Sequence, residues 1–389
     1  MTGNSVLNRR FVRLQAVQHL YAFYVCKQAD YDLALDQICN AFIPDVFADP
    51  PEDKAQLAQE AQQALALFAS SFVSPSCPLS TMASSSSRVS TVVTQTLASY
   101  DNAVAKDMRR LEGGLTAAVV SINQACVRIW QLLVEWAHIE KTQTERLKLT
   151  QQHAIISSVC LAHNPMLLHL QDNGMLAKLV HQKAAGWGNH TALVTSWYNQ
   201  FVKKDPAVQH YLAYPMTPVQ DQQLLVFLIE GIIFREETIQ AFFGDSDIHW
   251  ATHKRIVRKL VRQGLSHFIQ DSTQGAISSM PSLITHAASE QCFYTTLVQK
   301  TLQSDEKLEA LIAEKAQKWS ADRIMLLDKT IIKLALCEMI HFPNIPIKVS
   351  INEYIDLAKI YSMPKSGQFV NGLLDAIAAT FHQKSSTKV

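Results

Sequence analysis

Glycine and proline are scarce in this chain: 12 and 13 among 389 residues. Barrels, sandwiches and doubly wound sheets turn every few residues and rely on these two types to do it. Their shortage predicts long helices with few breaks, and therefore an all-α fold. Hydrophobic residues make up 48% of the sequence, enough to bury a sizeable core. At roughly 150 residues per domain, two or three domains' worth of core is available. The 35 Lys and Arg against 34 Asp and Glu leave a net charge of +1. A chain that coats nucleic acid by overall basicity is thereby excluded, so any nucleic-acid site must be a local patch.

The seven cysteines are dispersed and form no C-x-x-C, so neither a disulfide framework nor a zinc finger is expected. Asp245, Asp247, His249 and His253 offer metal-ligand types, but no H-E-x-x-H joins them and no metal is expected. The sequence contains no phosphate-binding P-loop, dinucleotide fingerprint or nucleophile elbow, so no cofactor and no catalytic residue is assigned. The N-terminus does not read as a signal peptide. The apolar run 224–234 is interrupted by Glu230 and too short to span a bilayer, so a cytoplasmic protein without membrane contact is expected.

Helical spacing of Leu14, Val17, Tyr21, Tyr24 and Val25 predicts a first helix over 8–29, with a second short one over 31–42. Prolines 44, 50 and 51 mark a loop, 53–72 reads as helix, and the Ser/Pro-rich stretch 74–90 reads as a linker. Helical patterns resume over 91–148, and further helices are predicted over 217–243 and 247–263, with loop at 271–289. Near the C-terminus a helix is predicted from Ser320 to His341, with Ile324, Leu327, Ile331, Leu334 and Ala335 inward. Phe342-Pro343-Asn344-Ile345-Pro346 ends it. Ser350 and Glu353 fit the S-x-x-E capping box of a second helix that Pro364 stops. Ser366 is placed as cap of a third, on Phe369, Val370, Leu373, Leu374 and Ile377, where Gly372 suggests a close crossing. The expected organisation is 1–44, an extension over 45–95, a helical middle region over 96–289, and a C-terminal helical subdomain over 290–389.

These C-terminal segments carry a resemblance. Trp319-Ser320-Ala321-Asp322-Arg323, Lys333 through Glu338, Ile345 through Glu353, Leu357-Ala358-Lys359 and Phe369 through Asp375 resemble the transcription antitermination factor NusB family. Asn8-Arg9-Arg10, Arg13, Ala16-Val17-Gln18 and Leu20-Tyr21 resemble its opening. The likeness covers about residues 8–30 and 290–382. The long region between is similar to the enlarged middle of the NusB-like proteins of Bacteroidetes-type bacteria. The resemblance implies two small helical bundles with a large helical insertion, and no catalysis. It further implies pairing with the ribosomal protein NusE and binding of boxA-type single-stranded leader RNA. It also implies association with the RNA polymerase elongation complex, to promote read-through in ribosomal RNA operons.

Read by themselves, Arg9, Arg10 and Arg13 put three guanidinium forks near the start of one helix, a phosphate-binding arrangement or an ordinary solvated helix end. The resemblance favours RNA. Tyr21 and Phe369 fit either core positions or stacking platforms for unpaired bases, and the resemblance places both near RNA. It places Lys365, just before the last helix, at the same surface. Asp328 and Lys333 fit a structural ion pair or hydrogen bond, or a face toward RNA or a protein partner. Arg255, Arg258, Lys259 and Arg262 recur at i, i+3, i+4 and i+7, as a solvated face or an extra RNA track along Arg255, Arg258 and Arg262. Two other functions fit a NusB-like domain: an RNA-modifying enzyme and a ribosome-assembly scaffold.

Overall fold

The computed structural model describes residues 7–45, 47, 52–73, 86–150, 161–172, 174–213, 217–274, 283–284, 287–316 and 324–386. Among these residues there are sixteen α-helices and no strand, so the chain is all-α. In order they are α1 (Arg9–Ala41), α2 (Lys54–Val73), α3 (Ser87–Glu112), α4 (Gly114–Thr150), α5 (Pro165–Asp172), α6 (Gly174–Gln182), α7 (Thr191–Trp197) and α8 (Pro206–Ala213). They continue with α9 (Pro218–Phe227), α10 (Glu237–Ser246), α11 (Trp250–Gln274), α12 (Ala288–Gln303), α13 (Asp305–Lys315), α14 (Leu326–His341), α15 (Ile347–Tyr361) and α16 (Ser366–Ser386). The chain divides into two compact units: a terminal unit of Arg9–Leu115 with Glu290–Val389, and a middle unit of Met1–Asn8 with Thr116–Ser289.

In the terminal unit α1 is one unbroken helix, not the expected pair over 8–29 and 31–42. Nothing at Ala29-Asp30 breaks a helix, and the second half has its own face to bury. Ala34, Ile38 and Phe42 pack with Leu57, Ala64 and Phe68 of α2 and with Val89, Val93 and Tyr100 of α3. Edge-to-face rings of Phe68, Phe72 and Tyr100 close this three-helix core. In the first half the inward face is Phe11, Val12, Ala16, Val17, Leu20 and Phe23, whereas Tyr21 and Val25 are exposed. Of the expected linker, 74–85 lies outside the described residues; Ser86 caps α3, its hydroxyl accepting from the Val89 amide.

The C-terminal helices centre on α14, whose residues from Thr330 to Met339 are all buried. Such all-round burial marks a central helix rather than an amphipathic one. It packs on α1, α13, α15 and α16. It begins at Leu326, not Ser320, because Ile324 is a bend and Met325 has extended backbone; the motif Trp319–Arg323 lies outside the described residues. α15 begins at Ile347, directly after Pro346. A proline pre-sets the entry to a helix and its missing N–H costs nothing there. Ser350 is consequently a turn inside the helix and is no N-cap. Ser366 turns its hydroxyl to Asp328. Gly372 is exposed, and a Cβ there would meet nothing within 4 Å, so no helix crosses closely at that point.

The middle unit is built around α4, whose segment Gly114–Leu147 is long and apolar enough to cross a membrane by length and composition. Among the described residues this stretch, not 224–234, is therefore the most span-like. Trp130 and Trp136 on it are buried, and 56% of its most apolar window is buried, as in a core helix. Asn164 opens α5 by accepting from the amides of Met166 and Leu167. The expected helix over 217–243 is interrupted: α9 runs into a π-helical turn, Leu228–Ile233, and a break precedes α10. α11 continues to Gln274, into the stretch expected as loop. Its inward residues are Ile256, Val257, Leu260 and Val261.

Candidate nucleic-acid interface

The start of α1 is where the arginines separate. Arg9 and Arg10 are exposed, and Arg13 is buried at 3% exposure. The Arg9 guanidinium carbon lies 4.9 Å from the centroid of the Phe293 ring on α12. Arg10 Nη1 is 3.2 Å from Asp356 Oδ2 on α15, a solvent-exposed pair. Arg13 points inward to α14, its Nε and Nη2 each donating at 2.8 Å to the two oxygens of Glu338. Ser350 Oγ donates to the same carboxylate at 2.6 Å and Tyr354 Oη at 3.2 Å, so four donors surround one fully buried anion. Glu353 Oε2, expected to cap, lies 3.7 Å from Arg13 Nη1 instead.

This arrangement answers an electrostatic problem. Three cations at a helix start oppose the macrodipole. Asp356, Glu338 and Glu353, carried by α14 and α15, supply the compensating charge. Burial disfavours the Arg13 cation, but the hydrogen bonds and charge of Glu338 outweigh it, and its pKa stands above the ordinary value. The Tyr354 phenol is pushed well above its usual range by burial and by the neighbouring Glu338 charge, so it remains a donor.

Lys333 and Asp328 are both buried. Lys333 Nζ lies 2.9 Å from Asp305 and 2.7 Å from Glu309 of α13, and 5.1 Å from the centroid of the Tyr24 ring. Tyr24 in turn donates to Asp305 at 2.5 Å. Asp328 Oδ2 accepts from Ser366 Oγ at 2.8 Å. Of the two roles open for this pair, the contacts that exist are internal. Lys365 is exposed in the turn before α16, Phe369 is half-buried, and Tyr21 is 37% exposed. The structure thus sets Arg9, Arg10, Tyr21 and Lys365 at the surface of the terminal unit and turns Arg13, Asp328 and Lys333 into its interior. Arg255, Arg258 and Arg262 belong to the middle unit.

Sequence reading passed over Phe293, Asp356 and the role of Glu338. Glu338 did leave a signal: it is the one acid in the otherwise apolar run Leu334–Ile340. Among the described residues no group of three or more His, Cys, Asp or Glu is placed to hold a metal; Asp247 and His253 pair with each other at 2.6 Å.

An all-helical chain whose arginine-led first helix is keyed to a C-terminal helical block fits the class suggested by its motifs, and the comparisons agree. The NusB family model matches residues 255–379. That match begins within α11, earlier than the 290 expected, and does not reach residues 8–30. The transcription antitermination protein NusB of Salinibacter ruber is 38% identical over 92 residues, 24% of this chain and 58% of that protein. The same-named proteins of Bacillus pumilus and Geotalea daltonii are 38% and 39% identical, over 26% and 28% of this chain and 79% and 74% of theirs. The chain belongs to the NusB family. It spans little more than half of the Salinibacter ruber protein, and 40% of its Chloroherpeton thalassium counterpart. No solved structure matches.

Proposed function

We propose that this chain is a non-catalytic, cytoplasmic antitermination factor. It binds boxA-type single-stranded leader RNA and pairs with ribosomal protein NusE. With them it joins the RNA polymerase elongation complex and promotes read-through of ribosomal RNA operons. Its likeness to transcription antitermination proteins supports the process. The observation that carries the RNA reading is the fixing of α1 onto α14 and α15 through Arg13–Glu338 and Arg10–Asp356. That junction holds Arg9 and Arg10 outward on a rigid support, where guanidinium forks meet phosphates at little entropic cost. Tyr21, Phe369 and Lys365 are the further contacts in this reading, the aromatics as stacking platforms. Arg13 contributes by holding α1 in place, and Asp328 and Lys333 by setting the positions of α16 and α13.

The test is a gel-shift titration of boxA RNA and a scrambled RNA, with and without purified NusE. Arg9→Gln with Arg10→Gln is expected to weaken boxA binding about tenfold or more per contact, at unchanged helix content. Equal affinity for boxA and scrambled RNA in the presence of NusE would instead favour a ribosome-assembly scaffold.

A further inference from the structure

We propose that the exposed face of α11 is a second RNA-binding surface, one that grips backbone phosphates irrespective of sequence. It rests on the RNA-binding reading above but not on the residues of α1. Between Asp247 and Asp271 the chain has no acidic residue, while Lys254, Arg255, Arg258, Lys259 and Arg262 fall within nine positions. An ordinary solvated helix face intersperses acids three or four residues from its bases, because like charges at that spacing repel. Here that relief is missing from the helix itself. Arg255, Arg258, Lys259 and Arg262 are all exposed, on the face opposite Ile256, Val257, Leu260 and Val261. Together with Gln263 and Ser266 they line one open groove. Arg255, the adjacent pair Arg258 and Lys259, and Arg262 follow one another at about one-turn intervals, roughly 5 Å, so they form a row about two turns long.

The neighbouring element both orders and restrains this row. Glu230, on the π-helical turn, pairs with Arg258, and its Oε1 lies 3.7 Å from Arg262 Nε. The Arg258 guanidinium also lies 5.9 Å from the centroid of the Phe234 ring. Arg255 and Lys259 have no ion-pair partner among the described residues. Burial, and to a lesser degree the charge of Arg258, hold the Lys254 ammonium below its ordinary pKa. One carboxylate against five cations leaves a net positive row that an anionic polymer satisfies. Three of the five are arginines, whose forks fit phosphate oxygens in a bidentate manner. An acidic protein segment is the competing occupant.

The experiment uses the full chain and fluorescein-labelled 20-nucleotide single-stranded RNAs, boxA-type and scrambled, with anisotropy measured across a sodium chloride series. Arg255→Gln, Arg258→Gln and Arg262→Gln together are expected to lower the log–log salt slope by about 2, roughly 0.7 per phosphate contact. Both RNAs should weaken by the same factor. Glu230→Gln frees two arginines from their competitor and is expected to tighten RNA binding. A purely structural ion pair would not do so, and this variant stands whether or not the triple variant folds. A wild-type slope in a helical triple variant overturns the proposal, as does unchanged or weaker binding by Glu230→Gln. So does loss of polyglutamate binding in the triple variant with the RNA slope intact, which would assign the face to an acidic protein. If wild-type protein binds neither RNA, the antitermination reading falls as well; if only α1 variants change binding, this inference alone falls.

Discussion

Arg13→Gln tests whether the innermost arginine is a strut or an RNA contact. The Arg13 and Glu338 side chains are 4% and 0% exposed, and the carboxylate has no route to water. Removing the cation leaves Glu338 with two hydroxyl donors and an uncompensated charge. Breaking one side of such a pair costs about 3–5 kcal/mol. That is a large fraction of the about 5–15 kcal/mol that stabilises a typical domain. Glu338→Gln should cost a similar amount. The double variant Arg13→Met with Glu338→Leu removes both charges and should be less destabilised than the sum by about 3 kcal/mol, even with Ser350 and Tyr354 losing an acceptor. Arg10→Gln is the control: its pair with Asp356 is exposed at both ends, and such pairs contribute about 0–1 kcal/mol. Urea unfolding followed by circular dichroism gives the ranking, and hydrogen exchange in peptides of α1, α14 and α15 shows where protection is lost. At a temperature where hydrogen exchange shows α1 still docked in both variants, Arg13→Gln should retain RNA affinity and Arg10→Gln should weaken it about tenfold. Where α1 is undocked, Arg13→Gln should lose affinity together with that protection. An Arg13→Gln variant as stable as Arg10→Gln but defective in RNA binding would refute the strut.

Two glycines should respond with opposite signs. Gly372→Ala is expected to raise stability by about 0.5–1 kcal/mol, since the site is an exposed helix interior with nothing for a methyl group to strike. Gly114→Ala should destabilise by about 1–3 kcal/mol, because its Cβ would come within 2.6 Å of Tyr294 Oη, a hydroxyl already donating to the Leu111 carbonyl. Thermal melts of the two variants check both. Tyr24 gives a pH signature: burial, then its bond to Asp305 and the charges of Asp305 and Glu309, raise its phenol far above the ordinary range. A group with a raised folded-state pKa stabilises fully below its unfolded value and loses that contribution as pH rises through the folded one. Wild-type stability should therefore fall by up to about 1.4 kcal/mol per pH unit for this group above about pH 10. Tyr24→Phe should lack that portion of the slope in urea titrations at pH 9, 10 and 11.

The class of fold was legible because it depends on something purely local: where the chain lacks residues that stop helices, it forms helices. Interior positions on α15 and α16 were legible for the same reason, since Ile351, Tyr354, Ile355, Val370, Leu373 and Leu374 repeat at helical spacing and are buried. What failed was every inference in which a side chain had a local and a distant use. Ser350 and Glu353 match the capping pattern, but Pro346 four residues earlier already starts the helix. Their side chains then face Glu338 and Arg13, from other helices. Ser366 follows the same pattern, its hydroxyl donating to Asp328 on another helix. Gly372 differs, since it is exposed and no crossing helix lies near it.

The arginines show the limit most clearly. Arg9, Arg10 and Arg13 share a side-chain type and a helix turn or two, and spacing treats them as one patch. Their fates diverge because a glutamate 325 positions away arrives beneath only one of them. A carboxylate in an apolar run predicts that some cation will be drawn inward, for a buried charge left alone is too costly to retain. Which cation answers depends on how α14 docks against α1, a property of the packed helices that no window of sequence contains. The two arginines left outside gain their value for RNA from the one taken in: its bond to α14 is what gives them a fixed surface from which to act.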